Sequence, residues 1–155
     1  MTVITVRVGA PAFDLAAEAA RLKALPAVGA VVTFTGVCRD EGGRLAALEL
    51  EHYPGMAETE IGRIADEAAS RWPLAGLTAI HRTGRIVVGE DIVLVAAASA
   101  HREAAFAAAN FVMDYLKTRA PFWKKEHPTG EAAEASWVAA KDTDDTAADR
   151  WRQER

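Results

Sequence analysis

The stretch that most limits the fold is H-R-E-A-A-F-A-A-A-N-F-V-M-D-Y-L-K, from His101 to Lys117. Its apolar spacing at Phe106, Ala109, Met113 and Leu116 predicts an amphipathic helix. Ser99 just ahead is the expected N-cap. A helix with one apolar stripe has to bury it against another layer. Pro121 then forbids helical continuation, so Phe122 to Glu126 must run extended. The segment before the helix, Ile92 to Ala98, reads as a strand, so this helix lies between extended segments.

The rest of the chain follows the same mixed order. Strand patterns fall at Thr2 to Val8, Leu45 to Tyr53 and Leu77 to Arg82. Ala30 to Gly36, A-V-V-T-F-T-G, reads as a strand buried on both faces or nearly so. Arg85 to Val88 and Ile92 to Ala98 are joined by V-G-E-D, a hairpin turn by composition. Helices are expected at Phe13 to Leu25 and at Ala57 to Trp72. Asp40 to Arg44 and Thr129 to Ala135 read as loops, the second one mobile. Trp137-Val138 is a short strand, and the charged tail from Lys141 a frayed helix. Mixed helices, strands and hairpins give an α+β class in one domain spanning 1–155.

A chain of 155 residues with 50% apolar and 26% charged residues can bury a core without staples. A formal charge of −4 disfavours general nucleic-acid or membrane binding. The single cysteine, Cys38, permits no internal disulfide and suits a reducing compartment. No segment reads as a signal peptide or membrane span, and a cytoplasmic protein is expected. Metal-ligand spacing, a phosphate-loop glycine motif and a G-x-S-x-G elbow are all missing from the sequence.

Against that acidic background, L-K-T-R-A-P-F-W-K-K-E gathers Lys117, Arg119, Lys124 and Lys125. Crowded cations lower a lysine's pKa and can supply a neutral amine. A lysine at a helix C-terminus also simply suits the helix dipole. After Pro121, Phe122, Lys124 and Glu126 share one side, and Trp123 and Lys125 the other. His101 and Arg102 lie in the first turn of the long helix, where cations make sense if an anion joins them; otherwise both bend to solvent. Sixteen residues separate His101 from Lys117, roughly 24 Å along a helix. One small ligand cannot touch both in one chain, so there are two sites or a second chain completes one. Gly36 and Arg39 end a strand in a ligand-facing position. Cys38 lacks a partner base and reads as a small buried hydrophobe, and His52 and His81 read as structural.

The motifs F-T-G-V-C-R, L-E-H-Y-P-G-M-A, I-H-R-T-G, V-G-E-D, S-A-H-R-E-A-A-F and D-Y-L-K-T-R-A-P-F-W-K-K-E occur in that order. From about Gly29 to Trp137 the chain resembles the large, catalytic subunits of molybdopterin synthase. The resemblance implies an α/β hammerhead with an additional antiparallel β subdomain. It implies a sulfurtransferase without metal or cofactor. Sulfur would pass from the C-terminal thiocarboxylate of a small ubiquitin-like carrier to cyclic pyranopterin monophosphate, giving the dithiolene of molybdopterin. Two such subunits would form a homodimer at the centre of a heterotetramer, with no nucleic acid and no membrane involved. The catalytic positions fall on Lys117 and Lys124. Substrate-binding positions fall on Val37, Cys38, Arg39, His101, Arg102, Lys117, Lys124, Lys125 and Glu126, with His101 and Arg102 serving the other subunit. Position 37 is often basic in relatives, so Val37 implies a backbone role, and Gly130 to Ser136 looks longer than usual. The rival reading is a non-enzymatic RNA- or protein-binding module built on Lys117 to Lys125, with Phe122 or Trp123 stacking on bases.

Overall fold

The computed structural model describes residues 1–130, 135–138 and 142–153. Two four-stranded sheets carry the structure. The first contains β1 (Val3–Gly9), β2 (Ala30–Val37), β4 (Gly76–Arg82) and β6 (Asp91–Ser99), in the order β1-β4-β6-β2. Its β1–β4 pair is parallel and the other pairs antiparallel. The second is antiparallel throughout: β5 (Gly84–Val87), β3 (Leu45–His52), β7 (Phe122–Pro128) and β8 (Ser136–Val138). Mixed sheet, helices and added antiparallel sheet together form the hammerhead with its extra β subdomain.

Four helices complete the described chain: α1 (Leu15–Lys23), α2 (Met56–Arg71), α3 (Arg102–Thr118) and α4 (Asp142–Gln153). Asp14 caps α1 by accepting from the Ala17 N–H at 3.1 Å. Gly55, at φ 87°, turns the chain into α2, and the Glu58 carboxylate reaches back to its N–H at 2.6 Å. Along β6 the faces alternate. Val93, Val95 and Ala97 join the core under α2 and α3, and Leu94, Ala96 and Ala98 join Leu22 of α1. The alanines of β6 keep this central strand thin enough for helices on both sides.

Five sequence expectations change. Ser99 does not cap α3: it is buried, and its hydroxyl donates to the Pro73 carbonyl at 2.8 Å, because β6 runs on to residue 99. His101 takes the cap position and makes no side-chain cap. Phe106 leaves the expected stripe at 61% exposure, while Ala105, Ala108, Val112 and Tyr115 form the buried one. The segment Ala30 to Gly36 is not buried on both faces. As β2 it is an edge strand, with Phe34 42% and Val37 49% exposed. Apolar composition cannot distinguish a central strand from an edge that awaits a partner. The V-G-E-D turn forms, with the Glu90 N–H on the Val87 carbonyl at 3.0 Å, but β5 and β6 are no hairpin. The turn passes the chain from the second sheet to the first.

The tail helix α4 is docked rather than frayed. Ala148 and Trp151, three residues apart, give it one apolar edge. Trp151 packs edge-on against Trp72 and Phe111, each at 5.5 Å, and its indole N–H donates to Asp114 at 2.6 Å. Part of the loop expected at Thr129 to Ala135, residues 131–134, lies outside the described residues, as does Lys141. Among the described residues no helix is long and apolar enough to cross a membrane.

Candidate active site

Three elements meet where the two sheets join. The bulge between Gly36 and Val37 turns β2 out of the first sheet. The loop that follows carries Arg39 and Glu41. The last turn of α3 brings Lys117, and β7 brings Lys124 and Glu126 on its inward side. Around them lies a cleft of about 240 Å³. Its floor is apolar, with Leu48, Ile92, Met113 and Leu116, and its rim holds three cations, Arg39, Lys117 and Lys124, against two carboxylates, Glu41 and Glu126. A net-positive rim over an apolar floor suits a ligand with an anionic group and a flat, weakly polar body. Gly36 is required here by packing. A Cβ at that position would sit 2.7 Å from the Val93 side chain.

The expected alternation along β7 holds. Opposite β3, Lys124 faces Leu50 and Glu126 faces Leu48, while Lys125 pairs with Glu49. Lys124 and Glu126 therefore enter the cleft. Lys125 lies on the outer side, its ammonium 4.7 Å from the centre of the Trp137 ring. On that side His127 sits 3.0 Å from Glu49 and holds the Glu49 carboxyl below its ordinary range. Cys38, between two cleft residues, points the other way into the core with Leu45, Leu48 and Ile86. Burial pushes its thiol up, and its N–H and carbonyl are both engaged, with Glu90 and Gly89 at 2.8 Å. Its side chain does not reach the cleft.

Of the candidate residues, then, Val37, Arg39, Lys117, Lys124 and Glu126 converge within one chain. His101 and Arg102 are exposed at the other end of α3, one helix length away. Phe34, Glu41, Met113 and His81 also line the cleft and were not candidates. Met113 and Leu116 were legible as an apolar stripe, and that stripe outlasts the core to become the floor. His81 ends β4 and stacks on Phe122, ring centroids 4.0 Å apart at 21°. Burial, with a smaller push from the Lys117 charge, holds its imidazole down to about 4. The stacking also decides against the base-binding alternative for Phe122, whose ring is already covered.

The MoaE protein family matches residues 8–119. The chain belongs to the MoaE family. It is 68% identical over 149 residues to the molybdopterin synthase catalytic subunit of Mesorhizobium japonicum, covering 96% of this chain and 93% of that one. Molybdopterin cofactor biosynthesis protein E from Burkholderia multivorans superposes with a TM-score of 0.82 at 50% identity, over 97% of each chain. Molybdopterin synthase from Staphylococcus aureus gives 0.77 at 28% identity, over 86% of this chain and 96% of its own. Fold and activity thus agree with the resemblance: this member is a sulfurtransferase of molybdopterin synthesis that forms the dithiolene.

Proposed function

We propose that the cleft is the place where sulfur leaves the C-terminal thiocarboxylate of a small ubiquitin-like carrier and joins cyclic pyranopterin monophosphate. The observation that carries this reading is the convergence of Arg39, Lys117 and Lys124 over an apolar floor. Both reactants are anions. Lys117 and Lys124 come from different elements and flank the cleft, so the carrier's tail and the acceptor carbon meet between two ammonium groups. These stabilise charge that develops as sulfur adds. In each transfer a carbon–sulfur bond forms on the pterin side as a carbon–oxygen bond of the same carbon breaks, its oxygen leaving as water or staying on the opened phosphate ester, and the carrier's acyl–sulfur bond breaks. Water supplies the oxygen that restores the carrier's carboxylate. Two carriers deliver the two sulfurs. Arg39 binds substrate oxygens by charge-assisted hydrogen bonds. Val37 offers only backbone, Glu126 orients the neighbouring Lys124, and Lys125 contributes field from outside.

The phosphate site is completed by a second copy of the chain. Support comes from β2, an edge strand with exposed Phe34 and Val37 and an unpaired outer side among the described residues. Two copies joined antiparallel along β2, about a two-fold axis near Thr33 and Phe34, form one continuous sheet. Ala30 of one copy then lies beside Val37 of the other. Ala30 pairs with Ser99 in the first sheet, so the start of α3, with His101 and Arg102, comes to the partner's cleft. The length of α3 that separates these residues in one chain thereby brings them together in two. A carrier on each outer end gives the heterotetramer, and a reducing cytoplasm suits the single buried thiol.

The test combines purified protein, thiocarboxylated carrier and cyclic pyranopterin monophosphate, with dithiolene product as the readout. Lys117→Ala is expected to abolish nearly all turnover while far-UV circular dichroism stays unchanged. Near-normal turnover in that variant would remove Lys117 from the mechanism.

A further inference from the structure

We propose that His81 is a positioning residue for this reaction: a neutral imidazole, locked in one tautomer, whose Nε2 lone pair holds the Lys117 side chain at the cleft. The inference rests on the role given to Lys117 above. His81 sits on β4 in phase with Leu77 and Ala79, which are core residues beneath α2 and α3. A polar ring thus stands where this face otherwise places aliphatic side chains. Its Nδ1 lies 2.9 Å from the Arg82 carbonyl. A carbonyl oxygen only accepts, so Nδ1 bears the hydrogen and Nε2 keeps the lone pair. One ring face is covered by Phe122, which fixes the ring plane.

With one nitrogen committed to backbone and one face stacked, the edge left for the cleft is the one that carries Nε2. His81 lines that cleft together with Lys117 and Lys124. The charged or titratable groups that act on it are Lys117 from α3 and His52 from β3, the latter 6.1 Å from the Phe122 ring and 3.6 Å from Glu58. Arg39, Glu41, Lys124 and Glu126 complete the surrounding charges. Burial and Lys117 both oppose an imidazolium, so at neutral pH the ring can only accept at Nε2. A proton-shuttle role needs a pKa near the working pH, which about 4 is not. Lys117 is exposed, and among the described residues no carboxylate forms an ion pair with it. Its long stem has many rotamers, and a fixed neutral acceptor selects one without cancelling its charge.

His81→Phe keeps the stack and removes the acceptor, while His81→Gln keeps an oxygen near the Nε2 position. Single-turnover rates with loaded carrier are expected to fall about 10- to 100-fold in His81→Phe, the loss of one charge-assisted hydrogen bond, and to return to within about threefold in His81→Gln. Carrier affinity should stay within about twofold in both, which a collapsed site would not allow. ¹⁵N correlation spectra of the wild-type ring should show the Nδ1–H tautomer at pH 7. Wild-type rates in His81→Phe, no advantage of Gln over Phe, or an Nε2–H tautomer would each overturn the proposal. If His81→Phe does not fold, His81→Asn replaces it, since Asn retains the donor to Arg82 and lacks the cleft acceptor. Lys117→Ala is assayed beside them. Full activity there sinks the lysine reading, whereas a dead Lys117→Ala with a normal His81→Phe sinks only the role of His81.

Discussion

If each cleft draws Lys117 from one chain and Arg102 from the other, two inactive variants should rescue one another by a fixed fraction. Pair an Arg102→Ala chain with a Lys117→Ala chain. In the mixed dimer one cleft receives intact Lys117 from the first chain and intact Arg102 from the second. The other cleft receives both lesions. One active site in two predicts about half the wild-type turnover per purified mixed dimer, and about a quarter in a random equimolar mixture where half the dimers are mixed. The helix geometry is what makes this sharp. The ends of α3 are roughly 24 Å apart, so no rotamer of Arg102 reaches its own chain's cleft. Parent activities must be low for the rescue to show. Losing the Arg102 charge-assisted bonds to an anion costs about 1.5–3 kcal/mol, or roughly 10- to 150-fold. The assay co-expresses the two chains with different tags, purifies dimers over both, and measures dithiolene formation with loaded carrier. If each chain works alone, a mixed dimer cannot exceed the mean of its parents. That outcome, in dimers verified by mass, would refute both the shared site and the β2 pairing that places it.

Three further outcomes follow from the same structure. Trp151→Ala removes an indole that is 6% exposed, and should cost about 3–5 kcal/mol in urea unfolding, or detach α4 and expose it to protease first; a loss below 1 kcal/mol would show that α4 is not part of the core. His81, neutral in the fold down to about 4 and near 6.5 when unfolded, contributes stability that is fully present above about 6.5 and lost as pH falls toward 4. Between pH 7 and 4.5 the wild type should therefore lose about 2–3 kcal/mol more than His81→Gln, and equal losses would contradict the neutral, partly buried ring. Cys38, with its thiol buried and pushed up, should react with thiol reagents only on unfolding, and Cys38→Ala should keep turnover within about threefold; rapid labelling of the native protein would reverse that reading.

What was legible in the sequence was periodic or local, and what was not depended on partners far along the chain. Helical spacing and the Pro121 break locate α3 and the extended β7 to within a residue or two at their starts, although Phe106 leaves the stripe, because spacing and proline sterics act within a few residues. The Ser99 cap failed because a hydroxyl's partner is chosen by tertiary placement, here a carbonyl 26 positions away. The V-G-E-D turn was right and its hairpin wrong for the same reason: turn chemistry is local, but strand pairing is not. For β2 a buried-looking run turned out to be an edge, and that apparent error is informative. An apolar edge is a pairing liability, so the mismatch between the buried-looking run and its exposed place in the single chain is the feature on which the proposed β2 pairing rests.

The same period-two logic separates neighbouring site candidates by the side they face. Along Phe122 to Glu126 the alternation separated Lys124 from Lys125 in advance, and the structure places one in the cleft and the other over Trp137. Val37, Cys38 and Arg39 are contiguous in one motif. Yet Val37 and Arg39 line the cleft while Cys38, between them, is driven into the core beside Leu48 and Ile86. Alternation holds there as well, with the Cys38 backbone bonded to Glu90 and Gly89 and its neighbours facing the cleft. His81 shows the rule from the other direction. In phase with Leu77 and Ala79 it should be core, but its side chain is only partly buried and lines the cleft where the core ends. A polar ring in the last inward position of a strand is thus a signal of a site alongside charged loop residues such as Arg39. Burying that ring has a cost that the fold alone gives no reason to bear.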